Sequence, residues 1–116
     1  MMLSAENTIT IINSYYDGEK DKDVELATVL KGVSVFFEHS AGALTTGIHS
    51  NNKVKIRIPF RDNYRRSDLW KEKPTSARWT LQVGDKIIVD GESKTILHFK
   101  DNTGRRFARH WFVEAQ

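Results

Sequence analysis

Over most of the chain the hydrophobic residues recur every second position, the period of a strand with one buried face. Thr8 to Tyr16 predicts a first strand, with Ile9, Ile11, Asn13 and Tyr15 on one face and Thr10, Ile12, Ser14 and Tyr16 on the other. The polar run Asp17 to Asp23 around Gly18 predicts a hairpin turn or an exposed loop. Val24 to Glu38 predicts a second strand whose apolar parity changes at Lys31-Gly32: Leu26, Thr28 and Leu30 precede the change, and Val33, Val35 and Phe37 follow it. A β-bulge at Gly32 accounts for this, because one extra residue exchanges the two faces. A helix is the alternative over Val24 to Leu30, but the β-branched and aromatic residues beyond Gly32 oppose extending it.

Lys53 to Phe60 carries the cleanest alternation. Val54, Ile56, Ile58 and Phe60 point one way, and Lys53, Lys55 and Arg57 point the other. Pro59 cannot donate a ladder hydrogen bond and marks a strand end or edge. Trp79 to Gly91 predicts two short strands around a turn at Gly84-Asp85, with Leu81, Val83, Ile87 and Val89 half-buried and a second turn at Asp90-Gly91. Ser93 to Lys100 and Arg105 to Glu114 predict a final hairpin around Asp101 to Gly104. Two segments break the pattern. The 39–52 segment is rich in Gly, Ser and Thr, and predicts a loop or a weak strand around Ala43 to Ile48. The 61–78 segment predicts a long loop with at most one helical turn, capped by Ser67-Asp68 and stopped by Pro74.

These elements predict one all-β domain over residues 1–116: a small antiparallel β-barrel, or a rolled two-sheet equivalent, with a loose lead-in at 1–7 and two long loops. No apolar run reaches the roughly 18 residues of a membrane helix. Met1 to Glu6 lacks the basic and apolar regions of a signal peptide. The chain has no cysteine, which excludes disulfides and thiolate metal sites and is compatible with a cytosolic origin.

Charge is unevenly distributed. Residues 1–52 hold three basic side chains against seven acidic ones, residues 53–78 hold nine against three, and residues 79–116 hold six against five. An acidic front and a basic middle suit complementary docking between copies or with a partner. Solvated charged loops are the plainer explanation.

Candidate chemistry is sparse. His39, His49, His98 and His110 lack the spacing of a local metal-ligand pair, although His98 and His110 fall on adjacent strands of the last hairpin and could face each other. There is no nucleophile elbow, no glycine-rich phosphate cradle and no paired carboxylate beside an apolar pocket. The reading is therefore non-enzymatic, without metal or cofactor. The basic residues offer more. Lys53, Lys55, Arg57, Arg61, Arg65, Arg66, Lys71, Lys73 and Arg78 are interleaved with Tyr64 and Trp70. Arg105, Arg106 and Arg109 form a second cluster near Phe107 and Trp111. Basic grooves with stacking aromatics are how small β-barrels hold single-stranded nucleic acid.

The order of segments is distinctive: T-I-T-I-I-N from Thr8, T-V-L-K-G-V-S-V-F-F-E from Thr28, K-V-K-I-R-I-P from Lys53, W-T-L-Q-V-G-D-K-I-I-V-D-G-E from Trp79 and H-W-F-V-E from His110. Over nearly its whole length the chain resembles a family of small phage and prophage proteins of Gram-positive bacteria, grouped with minor capsid and head–tail connector components. It departs from that pattern at Val35-Phe36-Phe37, where a Trp would be expected soon after the Gly-Val, which bears only on local packing. The resemblance implies a head-completion or stopper-like role in which a β-barrel forms a ring beneath the portal and helps retain packaged DNA. Its implied partners are phage portal or adaptor and tail-side proteins, further copies of itself in the ring, and non-specifically the packaged DNA. Its implied location is the bacterial cytoplasm during assembly and then the virion neck. By analogy to stopper proteins, the 39–52 loop would face the channel through Gly42, Leu44, Thr45, Thr46, Gly47 and Ile48. A nucleic-acid-binding module using the basic 53–78 region is the alternative, and a generic interaction adaptor a third.

Overall fold

A computed structural model describes residues 7–37 and 53–116 of the chain. The elements run β1 (Asn7–Asp17), β2 (Lys22–Phe37), β3 (Val54–Pro59), α1 (Ser67–Glu72), β4 (Lys86–Val89), β5 (Glu92–Asp101) and β6 (His110–Ala115). The six strands close into an antiparallel barrel in the order β1-β2-β3-β6-β5-β4. Closure pairs the outermost strands, β1 and β4, with each other. Among the described residues, 13–17 of β1 have ladder partners only in β2 and 22–33 of β2 only in β1, and the two strands extend there as a hairpin.

The parity change in β2 is the corner of the barrel. Thr8 pairs with Lys31 but Asn7 pairs with Val33, so Gly32 is the extra residue of a bulge. Its φ of 72° lies in the left-handed region, which glycine enters without a Cβ penalty. Before the bulge β2 pairs with β1; after it, from Ser34 to Phe37, it pairs with β3. Val24 to Leu30 is strand, not helix. The inward residues are Ile9 and Ile11 of β1, Leu30 and Val33 of β2, Val54, Ile56 and Ile58 of β3, Ile87 and Val89 of β4, Ile96 of β5, and Trp111, Val113 and Ala115 of β6. Each leaves at most 3% of its surface exposed, so the barrel is filled with side chains rather than hollow.

Four expectations are corrected. Residues 79–83 do not form a strand. Trp79 makes a single parallel bridge to Tyr64, and Thr80 to Gln82 run without ladder pairing to a turn at Val83-Gly84. The alternation of Leu81 and Val83 misled, because Val83 is 65% exposed. What holds the segment instead is a buried polar network from β1. Asn13 Nδ2 donates to the Thr80 carbonyl at 2.8 Å and to Asp85 Oδ2 at 3.0 Å, and Asn13 Oδ1 accepts from the Thr80 N–H at 3.0 Å. Ser14 Oγ and Gln82 Nε2 also donate to the Asp85 carboxylate, at 3.0 and 2.7 Å. Second, the last strand starts at His110, not Arg105; residues 105–109 are an irregular exposed loop. Third, α1 has Arg66 at its N-cap with no side-chain cap bond, so Ser67 does not cap it. Fourth, Phe60 is 44% exposed and sits at the barrel rim rather than inside.

Candidate partner interface

Strand registers place three features at one end of the barrel. The Pro59–His110 pairing puts the end of β3 beside the start of β6, and the Asp101–Trp111 pairing brings the end of β5 there too. Because β2 is antiparallel to β3, its early residues and the β1–β2 turn lie in that same direction. The 61–78 segment, the 101–109 loop and the β1–β2 hairpin therefore share one end.

The 61–78 segment is folded onto that end as a ledge, and two tryptophans hold it. Trp79 is fully buried, and its ring meets Tyr64 and Trp111 edge-on, each at 4.9 Å between centroids. Tyr64 also meets Trp111 at 4.6 Å. Trp79 Nε1 donates to Asn63 Oδ1 at 2.8 Å, which ties the plug back to the start of the ledge. Trp70, on α1, is 2% exposed and packs edge-on against Tyr15 of β1. Its Nε1 donates to the carbonyls of Arg78 and Thr75. Thr28 Oγ1 of β2 donates to the Ser76 carbonyl at 3.1 Å. An apparent loop is thus fixed by ring packing and by hydrogen bonds to its own backbone. Burial, and then the nearby Asp101 carboxylate, push the Tyr64 phenol above its usual value.

The basic residues of this stretch fall into three groups. Arg65, Lys73 and Arg78 line an open groove of about 330 Å³ together with Leu69, Glu72 and the buried Trp70, and the Arg65 guanidinium also donates to the carbonyls of Asp62 and Tyr64 at 3.1 and 2.8 Å. Arg65 and Arg78 also line a second groove of about 470 Å³, with Asp62, Asn63 and Ala77. Arg61, Arg66 and Lys71 stand apart from these. Arg61 is structural: its Nη2 donates to the Lys31 carbonyl at 2.6 Å beside the bulge, and burial lowers its pKa. Arg66 pairs with Asp68 at 3.3 Å on the surface, and Lys71 is exposed on α1. Lys53, Lys55 and Arg57 form the third group, on the outer face of β3 along the barrel wall. Their positions face Glu114 and Phe112 of β6, and Lys53 Nζ lies 3.3 Å from Glu114. The contiguous basic run of the sequence is thus two surfaces, a ledge at the barrel end and a partly neutralised stripe on its side.

His98 and His110 do not face each other. His98 Nε2 lies 3.2 Å from Glu114, while His110 bonds Asn102 and the Ala108 carbonyl. Burial alone would raise the Glu114 carboxyl. The hydrogen bond and charge of Lys53, joined by His98, outweigh that and hold it below the usual carboxylate range. Among the described residues no cluster of three His, Asp or Glu side chains could hold a metal ion. No described helix is long and apolar enough to cross a membrane. Gly42, Leu44, Thr45, Thr46, Gly47 and Ile48 lie outside the described residues.

One surface was legible only as composition. The β5–β6 loop presents Phe107 at 78% exposure, preceded by Arg105 and Arg106, with the Arg106 guanidinium 5.9 Å from its ring centre. Arg109 stacks over Phe60 at 3.8 Å from the ring centre, and Phe60 in turn stacks on Trp111. Reading 105–114 as strand hid this. The clue was Gly104-Arg105-Arg106, too polar for the inner face of a strand.

The chain matches no curated protein sequence. A family model covers residues 4–116, nearly the whole of it, and the chain therefore belongs to DUF6751, a family of unknown function.

Proposed function

We propose that this protein is a structural component of a phage or prophage particle, a head-completion or head–tail connector subunit that forms a ring at the portal and helps retain packaged DNA. The observation that carries the reading is the conversion of 61–78 from an apparent loop into a fixed basic ledge at one end of a solidly packed barrel. Arg65, Lys73 and Arg78 stand there around open grooves, on a segment whose position two buried tryptophans determine. A preorganised charged surface of this kind favours docking, because little ordering entropy remains to be lost. The sequence resemblance supplies the kind of assembly. Mass spectrometry of particles released by the source cells should find the chain together with the portal protein, and particles that lack it would refute the proposal. Within the same reading, deleting residues 41–50 should leave the barrel folded and cause filled particles to lose DNA; normal retention would remove the channel role of that segment.

A second reading has one observation of its own. On the outer wall Arg57 pairs with Phe112, which pairs with Lys100, and Lys55 lies in the adjacent row. A cationic face with a central aromatic suits single-stranded nucleic acid. Fluorescence anisotropy with an oligonucleotide separates the two: binding by the free chain that falls steeply with salt and is lost in Lys55→Glu/Arg57→Glu favours the module.

A further inference from the structure

We infer that copies of this chain join side by side, with the β5–β6 loop of one taking the β1–β2 hairpin tip of the next. This rests on the self-association in the reading above and names the surfaces that carry it. Going round the barrel, the β1–β2 pair and the β6–β5 pair are separated by β3 on one side and β4 on the other. The two hairpins therefore stand on opposite flanks of a six-stranded wall, and their turns point toward the same end.

Their charges are opposite. Residues 16–25 carry five carboxylates against two lysines, and residues 100–109 carry four cations against one carboxylate. Both turns are built rather than loose. Asp17 Oδ1 accepts from the N–H groups of Glu19 and Lys20, and Tyr16 donates to Asp21 across the first turn. In the other, Asp101 Oδ1 accepts from Thr103 N at 2.8 Å, Arg109 Nε donates to the Thr103 carbonyl at 2.7 Å, and Ala108 is held at a φ of 53°. Phe107 is left outward with Arg106 over its ring at 5.9 Å, an apolar anchor beside charge. The ledge is held to the first hairpin at Tyr15 and Thr28, and the acidic tip lies further out along both strands.

A contact between unlike surfaces on opposite flanks, both pointing to one end, repeats from copy to copy and closes a ring when the rotation per copy allows it. A polyanion is the weaker occupant. The five carboxylates of the acidic flank would repel a nucleic-acid strand, whereas they complement the cations of a second copy's β5–β6 loop.

The test is sedimentation velocity on the full chain at low salt, at concentrations up to about 1 mM. The wild type should associate, and association should weaken by about tenfold or more as salt screens the contact. Arg105→Glu/Arg106→Glu, Glu19→Lys/Asp23→Lys and Phe107→Ser should each remove it. The two charge-reversed chains mixed in equal amounts should associate again, because each then offers the surface the other lacks. If a reversal unfolds the chain by circular dichroism, Arg105→Gln/Arg106→Gln serves in its place. A wild type monomeric throughout, association untouched by the reversals, or no recovery on mixing would overturn the inference. So would reversal of Arg105 and Arg106 that costs oligonucleotide binding but not association. Association that behaves as expected in a chain absent from particles would remove the phage reading and leave this one standing; a monomeric chain present in particles would do the opposite.

Discussion

Asn13 is the residue on which the unpaired 79–85 segment depends, and replacing it by alanine measures that dependence. Its side chain is fully buried and makes three hydrogen bonds, two of them to the main chain of Thr80 and one to the Asp85 carboxylate. In Asn13→Ala the Thr80 N–H and carbonyl lose their partners across the barrel wall, and Asp85 keeps only Ser14 and Gln82. A buried main-chain group left unpaired costs about 1–3 kcal/mol, and a lost bond to a charged acceptor about 1.5–3 kcal/mol. Partial relaxation and water entry keep these from adding in full, so the expected loss is about 4 kcal/mol. That is a large share of the roughly 5–15 kcal/mol typical of a domain. With a urea slope of about 2 kcal/mol per molar, the unfolding midpoint falls by about 2 M. Ser14→Ala is the control, because it removes one half-buried hydroxyl bond to the same carboxylate and should cost about 1 kcal/mol. Tryptophan fluorescence reports the transition, since Trp79 adjoins Thr80. If Asn13→Ala costs no more than Ser14→Ala, side-chain bonding is not what holds the segment. Asn13→Asp sharpens the test. It sets a second carboxylate against Asp85, and protonation relieves that repulsion, so the Asn13→Asp deficit should shrink as pH falls.

Three further perturbations probe other joints. Gly32→Val places a β-branched residue at a φ of 72° and should cost about 1–2 kcal/mol in urea unfolding, with Gly32→Asn milder because Asn tolerates that region. Trp79→Phe should cost about 1 kcal/mol more than Trp111→Phe, because Trp79 Nε1 bonds Asn63 whereas Trp111 Nε1 is buried with no hydrogen-bond partner among the described residues. In Lys53→Ala the Glu114 carboxyl should titrate higher by NMR. A depressed carboxyl contributes stability above its unfolded value of about 4.3 and loses it as pH falls through the native one, so the variant should lose part of its advantage at neutral pH over acid pH.

What the sequence made legible divides along a physical line. Strands that bury one face against the core announce themselves by alternation: β1, β3, β4 and β5 were placed within a residue or two, and the parity change in β2 located the bulge at Gly32. Local pattern suffices there because burial of every second side chain is itself the cause of the structure. It fails where long-range side-chain bonding replaces ladder pairing. Thr80 to Gln82 alternate as a strand would, yet Asn13, distant in sequence, holds them. The one hint was Asn13 itself, a polar residue in an inward register with Ile9 and Ile11 that had to find partners inside.

The same distinction explains why the candidate surface was only half visible. A run of lysines and arginines reads identically whether it lines a loop, a wall or a ledge. Trp70 and Trp79 decide between these by burying themselves, and neither partner, Tyr15 or Trp111, is near them in sequence. Once buried, they divide the positive charge of 53–78. Lys53 is drawn to Glu114 on the wall, Arg61 bonds the main chain beside the bulge, and Lys73 and Arg78 stand at the barrel end with Arg65, whose guanidinium also bonds the Asp62 and Tyr64 carbonyls. Positive charge on a segment held in place by packing and hydrogen bonds is what a docking surface requires. The barrel's aromatic plug in this sense shapes the proposed interface: loosening Trp79 would blur the ledge before it opened the core.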